Sequence, residues 1–243
     1  MALLSKKHQG DGFTPILTRT GNPKPPVRTV LNASLKPAAV PLLDAGKALA
    51  RSGELLIEYT STSENKLYGG GLSSAGASIR NAGDCVAQAA ASTRFKTATE
   101  LVCDELREAG TCLLEGSNDQ LSKGVDDANV DENASLSSRI ENLIPFMTCV
   151  GTQLEMAGEK IMKKESVENI GGCLVDGGEC LYTVAMGIQK LGDDEMNDNN
   201  KAVTAAKESC NRMLYAAEKM KEAGNNLKGV QPEKKSGKAW LRG

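Results

Sequence analysis

The residues able to do chemistry are few and badly placed for it. The only histidine, His8, sits in the first segment of the chain, so a Ser–His or Cys–His pair would have to be assembled by folding that segment back over everything else. Seven cysteines occur, Cys85, Cys103, Cys112, Cys149, Cys173, Cys180 and Cys210, with no C-x-x-C pair among them. The number is odd and each falls within a helical pattern. They read as reduced thiols packed as small core residues in a reducing compartment. Cys173 and Cys180 share a helix face two turns apart, too far to hold one zinc ion together. Asp127, Asn129 and Asp131 match the first ligands of a calcium loop. Glu132 then stands where the turn needs Gly, and Ser138 where the bidentate ligand needs Glu, so a solvated acidic loop is expected. Gly69-Gly70-Gly71 precedes a helix but lacks the strand and the lysine of a phosphate-binding loop, and reads as a flexible connection. No E-x-x-H pair exists for a di-iron centre. A carboxylate cluster drawn from Glu105, Glu141, Glu155 and Asp176 would be the basis of a ligand-binding alternative. The expectation is a non-enzyme without metal or cofactor.

The elements that must hold these residues are helices. Apolar residues recur at 3–4 spacing through Leu136, Ile140, Leu143, Met147, Val150 and Leu154. The same spacing runs through Val167, Ile170, Leu174, Gly177, Leu181 and Val184, and through Val203, Ala206, Cys210, Met213, Ala217 and Met220. Each run lies on one stripe of a helix, and several such stripes bury each other as an antiparallel bundle. The spacing predicts helices over 39–61, 73–115 (one continuous helix with a stutter), 134–164 (kinked or split at Pro145), 166–191 and 200–227. The fold expected is all-α: an elongated antiparallel bundle of four or five helices with coiled-coil seams. Aromatic residues make up only 3% of the chain, so the core falls to Leu, Val, Ile, Met, Cys, Ala and Gly. Gly171, Gly172, Gly177 and Gly178 in one helix each cost about 1 kcal/mol against Ala, which close packing against a neighbouring helix or a partner would offset.

Charge divides the 243 residues into three parts. Residues 1–43 hold Lys6, Lys7, Arg19, Lys24, Arg28 and Lys36 against Asp11 alone, while residues 228–243 hold Lys228, Lys234, Lys235, Lys238 and Arg242 against Glu233. The net charge is −2, so the middle is strongly acidic. The expected units are an extended Pro-rich basic arm over 1–37, a helical bundle over 38–228 and a basic tail over 229–243. Pro23-Lys24-Pro25-Pro26 favours polyproline II in the arm. The partner-binding residues expected are Lys24 and Arg28 in the arm with Lys234, Lys235, Lys238, Trp240 and Arg242 in the tail, since Trp and Arg anchor interfaces. An acidic body without a stacking platform argues against nucleic acid. The partner class that fits is an acidic protein lattice such as a microtubule. No apolar run approaches the length of a membrane span.

Leu42-Leu43-Asp44-Ala45-Gly46-Lys47-Ala48-Leu49-Ala50 and Ala82-Gly83-Asp84-Cys85-Val86-Ala87-Gln88-Ala89-Ala90-Ala91 resemble the Ala-rich antiparallel bundles of the vinculin, α-catenin and talin-rod families. The resemblance extends in style over 40–227 and carries no diagnostic motif, so no binding residue is transferred. It implies a bundled rod in a cytoskeletal scaffold. The functional expectation is therefore a structural or adaptor protein, a rigid bundle tethered by basic arms in a cytoskeletal or axonemal assembly in the cytoplasm or a cilium. The alternative is an accessory subunit of an organellar complex whose acid-poor N-terminal segment is a cleaved transit peptide.

Overall fold

In the computed structural model the described residues are 27–62, 69–94, 99–121, 141–194 and 200–229. They form six α-helices: α1 (Val27–Thr62), α2 (Gly69–Arg94), α3 (Thr99–Glu115), α4 (Ile144–Met162), α5 (Val167–Asp194) and α6 (Asn200–Leu227). A short π-helical stretch, Gly116–Leu121, continues α3. The all-α bundle is the expected class, with six helices in place of four or five. Each helix packs against its neighbours in sequence, and α6 packs back on α1, so the contacts close into a cycle. All six neighbouring pairs are antiparallel.

Two of the expected boundaries differ for identifiable reasons, and a third falls where expected. The stretch 73–115 is two helices. The register shift between the stripe through Ala82, Val86 and Ala89 and the stripe through Val102, Leu106 and Ala109 marks a reversal of direction, with α3 folded back on α2. The split expected at Pro145 is present: Glu141 is helical, 142–143 form a turn, and Pro145 occupies the first turn of α4, where its missing N–H has no intrahelical use. Helix α1 begins at Val27, so residues 27–37 are helical and not part of an extended arm, and Leu35 and Ala38 are buried core residues. Pro37 and Pro41 both lie inside α1. Pro41 has no N–H to give the Pro37 carbonyl, and the Asn226 side-chain amide of α6 donates to that carbonyl instead, at 3.1 Å.

The helices pair into three hairpins whose helices nearly touch. A Cβ on Gly46 of α1 would sit 2.6 Å from the Gly83 carbonyl oxygen of α2. One on Gly158 of α4 would sit 2.7 Å from the Cys103 oxygen of α3, and one on Gly171 of α5 would sit 2.5 Å from the Gly224 oxygen of α6. Aligned on these contacts, the hairpins are three copies of one pattern. The first helices read Gly46, Leu49, Gly53, Leu56; Cys103, Leu106, Gly110, Leu113; and Gly171, Leu174, Gly178, Leu181. The second helices read Gly76, Ile79, Ala82, Gly83, Val86; Gly151, Leu154, Ala157, Gly158, Ile161; and Ala217, Met220, Ala223, Gly224, Leu227. The leucine-type positions point into one shared core, and the Gly, Ala and Cys positions form the seams. A single hairpin has an apolar face it cannot bury alone, and three of them complete the core.

Between hairpins the contacts are of other kinds. Helices α6 and α1 meet at a buried serine pair: the Ser52 hydroxyl donates to the Ser209 carbonyl at 3.1 Å and the Ser209 hydroxyl to the Ser52 carbonyl at 2.9 Å. Helix α2 meets the π-helical stretch after α3 where a Cβ on Gly116 would touch Ser78, and α5 meets the cap of α4 where one on Gly187 would touch Leu143. Helix α4 stops at Lys164, which is left-handed at φ 58°. Its N–H bonds the Ile161 carbonyl and the Glu165 N–H bonds the Lys160 carbonyl, so the last carbonyls of the helix are satisfied in a Schellman arrangement.

Candidate functional site

Two places can do something beyond holding the fold: the end of the bundle from which both basic segments leave, and the half-exposed cysteines between helices. The first is fixed by the junction of α1 and α6. The Asn226–Pro37 hydrogen bond joins the last turn of α6 to the N-terminal part of α1, so residues 1–26 and 230–243 are attached at one end of the bundle. The C-terminal end of α4 and the start of α5 lie at this same end, bringing Lys160, Lys163 and Lys164 there beside Glu159, Glu165 and Glu168. Lys163 bonds Glu159 at 3.0 Å, and the Lys160 ammonium donates to the Asn169 carbonyl at 3.5 Å. The described surface of this end is therefore mixed in charge, and the positive excess resides in the two attached segments. The connections over 63–68, 122–143 and 195–199 join helices at the other end, and they carry Glu64, Asp126, Asp127, Asp131, Glu132, Glu141, Glu195 and Asp198 against Lys66, Lys123 and Arg139.

Of the expected partner-binding residues, Lys24, Lys234, Lys235, Lys238, Trp240 and Arg242 lie outside the described residues. Arg28 falls in the first turn of α1. His8 and the Asp127-Asn129-Asp131 stretch also lie outside them. The carboxylates offered for a ligand-binding cluster are not brought together. Glu155 of α4 accepts from the Thr111 hydroxyl of α3 at 3.0 Å, while Glu141 and Asp176 are exposed on separate elements. Glu105 instead faces Cys85 of α2, and burial pushes its carboxyl above the usual range. Among the described residues no group of three His, Cys, Asp or Glu is placed to hold a metal ion. No described helix is long and apolar enough to cross a membrane.

The cysteines depart from the all-thiol expectation. Cys149 of α4 and Cys180 of α5 form a disulfide, with Cα atoms 6.2 Å apart, within the ordinary range for such a bridge. They are 31 residues apart in sequence, and no spacing rule connects them; only the antiparallel pairing of α4 with α5 does. The other five cysteines are thiols. Burial pushes the Cys85 thiol up to about 12, with Cys112, Glu105 and Glu108 adding repulsion, and pushes Cys103 up to about 11, with Asp104 adding to it. Cys112 is raised by burial and then by Glu108 and Glu115. A thiol held protonated is a poor nucleophile and a poor metal ligand, so the α2–α3 cysteines suit packing.

The glycine pairs 171–172 and 177–178 of α5 divide in their surroundings. Gly171 and Gly178 face the backbone of α6, and Gly177 faces Met220 and Gln153. A Cβ on Gly172 would meet nothing within 4 Å. Close packing accounts for three of them and leaves Gly172 without a structural reason. No protein-family model and no curated protein matches the chain.

Proposed function

We propose that this chain is a non-enzymatic structural or adaptor protein, a rigid closed bundle that presents two basic segments side by side to an acidic protein partner. The observation that carries this is the packing of α6 against α1 at Pro37, which attaches segments 1–26 and 230–243 at the same end of the bundle. Two weak electrostatic tethers held at one end act at high effective concentration on the same partner surface, and their affinities reinforce each other. Acidic connections at the opposite end keep that end off an acidic lattice and so orient the bundle. The close seams support a spacer role, since helices in backbone contact have little room to slide. An acidic filament such as a microtubule is the partner class with the matching charge, and a cytoskeletal or axonemal setting follows from it.

The test is co-sedimentation of the full chain, of residues 27–243, of residues 1–229 and of residues 27–229 with purified microtubules across a salt series. Binding should fall with salt and fall in each truncation, most in the double one. Equal binding by residues 27–229 would overturn the tether reading. The disulfide lends support to a second reading, an accessory subunit of a complex in an oxidising organellar space, because stable disulfides are uncommon in reducing compartments. The mass of the mature N-terminus in native material separates the two, since removal of part of 1–43 belongs only to the second.

A further inference from the structure

We propose that Cys149 and Cys180 are a reversible redox clasp between the second and third hairpins, exchanging with low-molecular-weight thiols and disulfides of the glutathione class. The pair bridges two helices that belong to different copies of the repeat. The seams within hairpins are formed by backbone contact at glycines, and the α6–α1 joint by the Ser52–Ser209 pair; neither can be switched by oxidation. The α4–α5 joint alone, among the described residues, has a covalent tie.

Access and reactivity select this pair. Cys149 and Cys180 are both partly exposed, so a tripeptide thiol can reach them. Cys103, Cys173 and Cys210 are buried. Cys85 and Cys112 are partly exposed, but burial and then the carboxylates of Glu105, Glu108 and Glu115 oppose thiolate formation there. Closure proceeds by two exchanges. The thiolate of one cysteine attacks a sulfur of glutathione disulfide, forming a mixed disulfide and expelling one glutathione thiolate. The second cysteine's thiolate then attacks the protein sulfur of that mixed disulfide and expels the second glutathione. One S–S bond breaks and one forms, the protein loses two protons and two electrons, and two glutathione thiols carry them away. Opening is the reverse. A clasp on one joint leaves the other five helix contacts of the cycle in place, so the reduced chain remains folded while α4 and α5 are freed from covalent constraint. This inference does not depend on the tether reading, and it holds in either compartment: a mostly open clasp where thiols dominate, a mostly closed one where they do not.

The experiment equilibrates the full chain with glutathione mixtures from strongly reducing to strongly oxidising, quenches with acid, alkylates and maps the thiols by mass spectrometry. The expected result is a two-thiol transition confined to Cys149 and Cys180 and reversible from both directions. Hydrogen exchange on the same samples should show α4 and α5 exchanging faster when reduced. The unfolding constant should rise by a few hundred-fold on reduction, the effect of releasing a loop of 31 residues. A Cys149→Ala, Cys180→Ala double variant should fold, should match the reduced chain and should show no redox dependence. Failure of Cys149 and Cys180 to oxidise in any mixture overturns the proposal. So does pairing of either one with another cysteine, a bond that persists in excess glutathione, or full redox dependence in the double variant.

Discussion

Gly83→Ala and Gly172→Ala make the same chemical change on helices of the same bundle and should move stability in opposite directions. At Gly83 the new methyl carbon would sit 2.7 Å from both the Ala50 Cα and the Gly46 carbonyl oxygen, and against the Ala50 nitrogen. All three are backbone atoms of α1, so no side chain can rotate aside. Carbon atoms in contact settle at roughly 3.5–4.0 Å, so α1 and α2 must part locally by about 1 Å. A gap of that size forfeits about a quarter to a half of each dispersion contact along the seam, where Gly46, Gly53 and Gly76 also make their approaches. Overpacking a filled core costs about 1–3 kcal/mol, and a backbone obstacle puts this site at the upper end or beyond. Ala returns about 1 kcal/mol of helix propensity. The net expectation is a loss of about 2 kcal/mol. At Gly172 the methyl meets nothing within 4 Å, so the propensity gain stands alone, at about 0.5–1 kcal/mol. Urea denaturation followed by far-ultraviolet circular dichroism reads both. The midpoint should fall by roughly 1 M for Gly83→Ala and rise by a few tenths for Gly172→Ala, with unchanged slopes. A Gly83→Ala protein as stable as the parent would refute the close-seam account. A destabilised Gly172→Ala protein would show that the position has a packing role after all.

The Ser52–Ser209 pair should behave as a coupled unit. Ser52→Ala alone should cost about 1 kcal/mol by removing the buried hydroxyl that donates across the joint to the Ser209 carbonyl and lies against the Ser209 hydroxyl, and the Ser52→Ala, Ser209→Ala pair should cost less than the sum of the single changes, measured as a double-mutant cycle in urea. Stability should decline at alkaline pH. Cys85 and Cys103 stay protonated in the folded chain up to about 12 and about 11, whereas in the unfolded chain an ordinary thiol ionises near 9, so the folded state's advantage is complete below pH 9 and is lost as pH rises through 11 and 12. Thermal midpoints recorded from pH 8 to 11 should drop more for the parent than for Cys85→Ala, Cys103→Ala. Lys164→Gly should raise stability by about 1 kcal/mol, because it relieves a left-handed residue with a Cβ while keeping the Schellman bonds at the end of α4; a loss on thermal melting would contradict that reading.

How far the fold could be read from sequence depended on whether a signal was local. The last helix was legible to the residue, because Asn200 follows an acidic run and the stripe ends at Leu227, two residues before Gly229 with its φ of 69°. The start of α1 was hidden by the prolines: Pro37 falls in the Pro-rich stretch read as an extended arm, and its carbonyl, left without a donor by Pro41, is satisfied by the side-chain amide of Asn226, far away in the sequence. The turn between α2 and α3 carries no glycine or proline in 92–99, so only a register shift marked it. The triple repeat was overlooked because its copies agree chiefly in leucine-type core positions and in small residues. Gly46, Cys103 and Gly171 hold the same seam position, and those letters look unrelated until the contact shows that each need only be small. The disulfide was beyond local reading for the same reason as the serine pair: both join helices whose mutual register is set by the whole cycle.

That cycle bears on where function can reside. A stack of helical hairpins ordinarily leaves an apolar face at each end of the stack and needs capping units to cover it. Here the third hairpin returns to the first, through the buried serines and the Asn226–Pro37 bond, so each hairpin covers the next and no cap is needed. Closure consumes the lateral faces on which open repeat proteins bind their ligands. What remains available is the outer surface and the two ends, and the same closure that removes the lateral faces puts the start of α1 and the end of α6 at the same one of those ends. The seam glycines and the basic segments are thus linked: the closer the hairpins pack and the more completely the ring closes, the more tightly the attachment points of the two segments are fixed relative to each other. A substitution such as Gly224→Ala, which would press a methyl against Val175 and the Gly171 carbonyl of α5, acts three residues from the end of α6. It should therefore weaken microtubule co-sedimentation by displacing the attachment point of residues 230–243, although it alters no charge, whereas Gly151→Ala, deep in the second hairpin, should lower stability and leave binding by the folded fraction unchanged. Equal effects of the two on binding would separate the seams from the tethers.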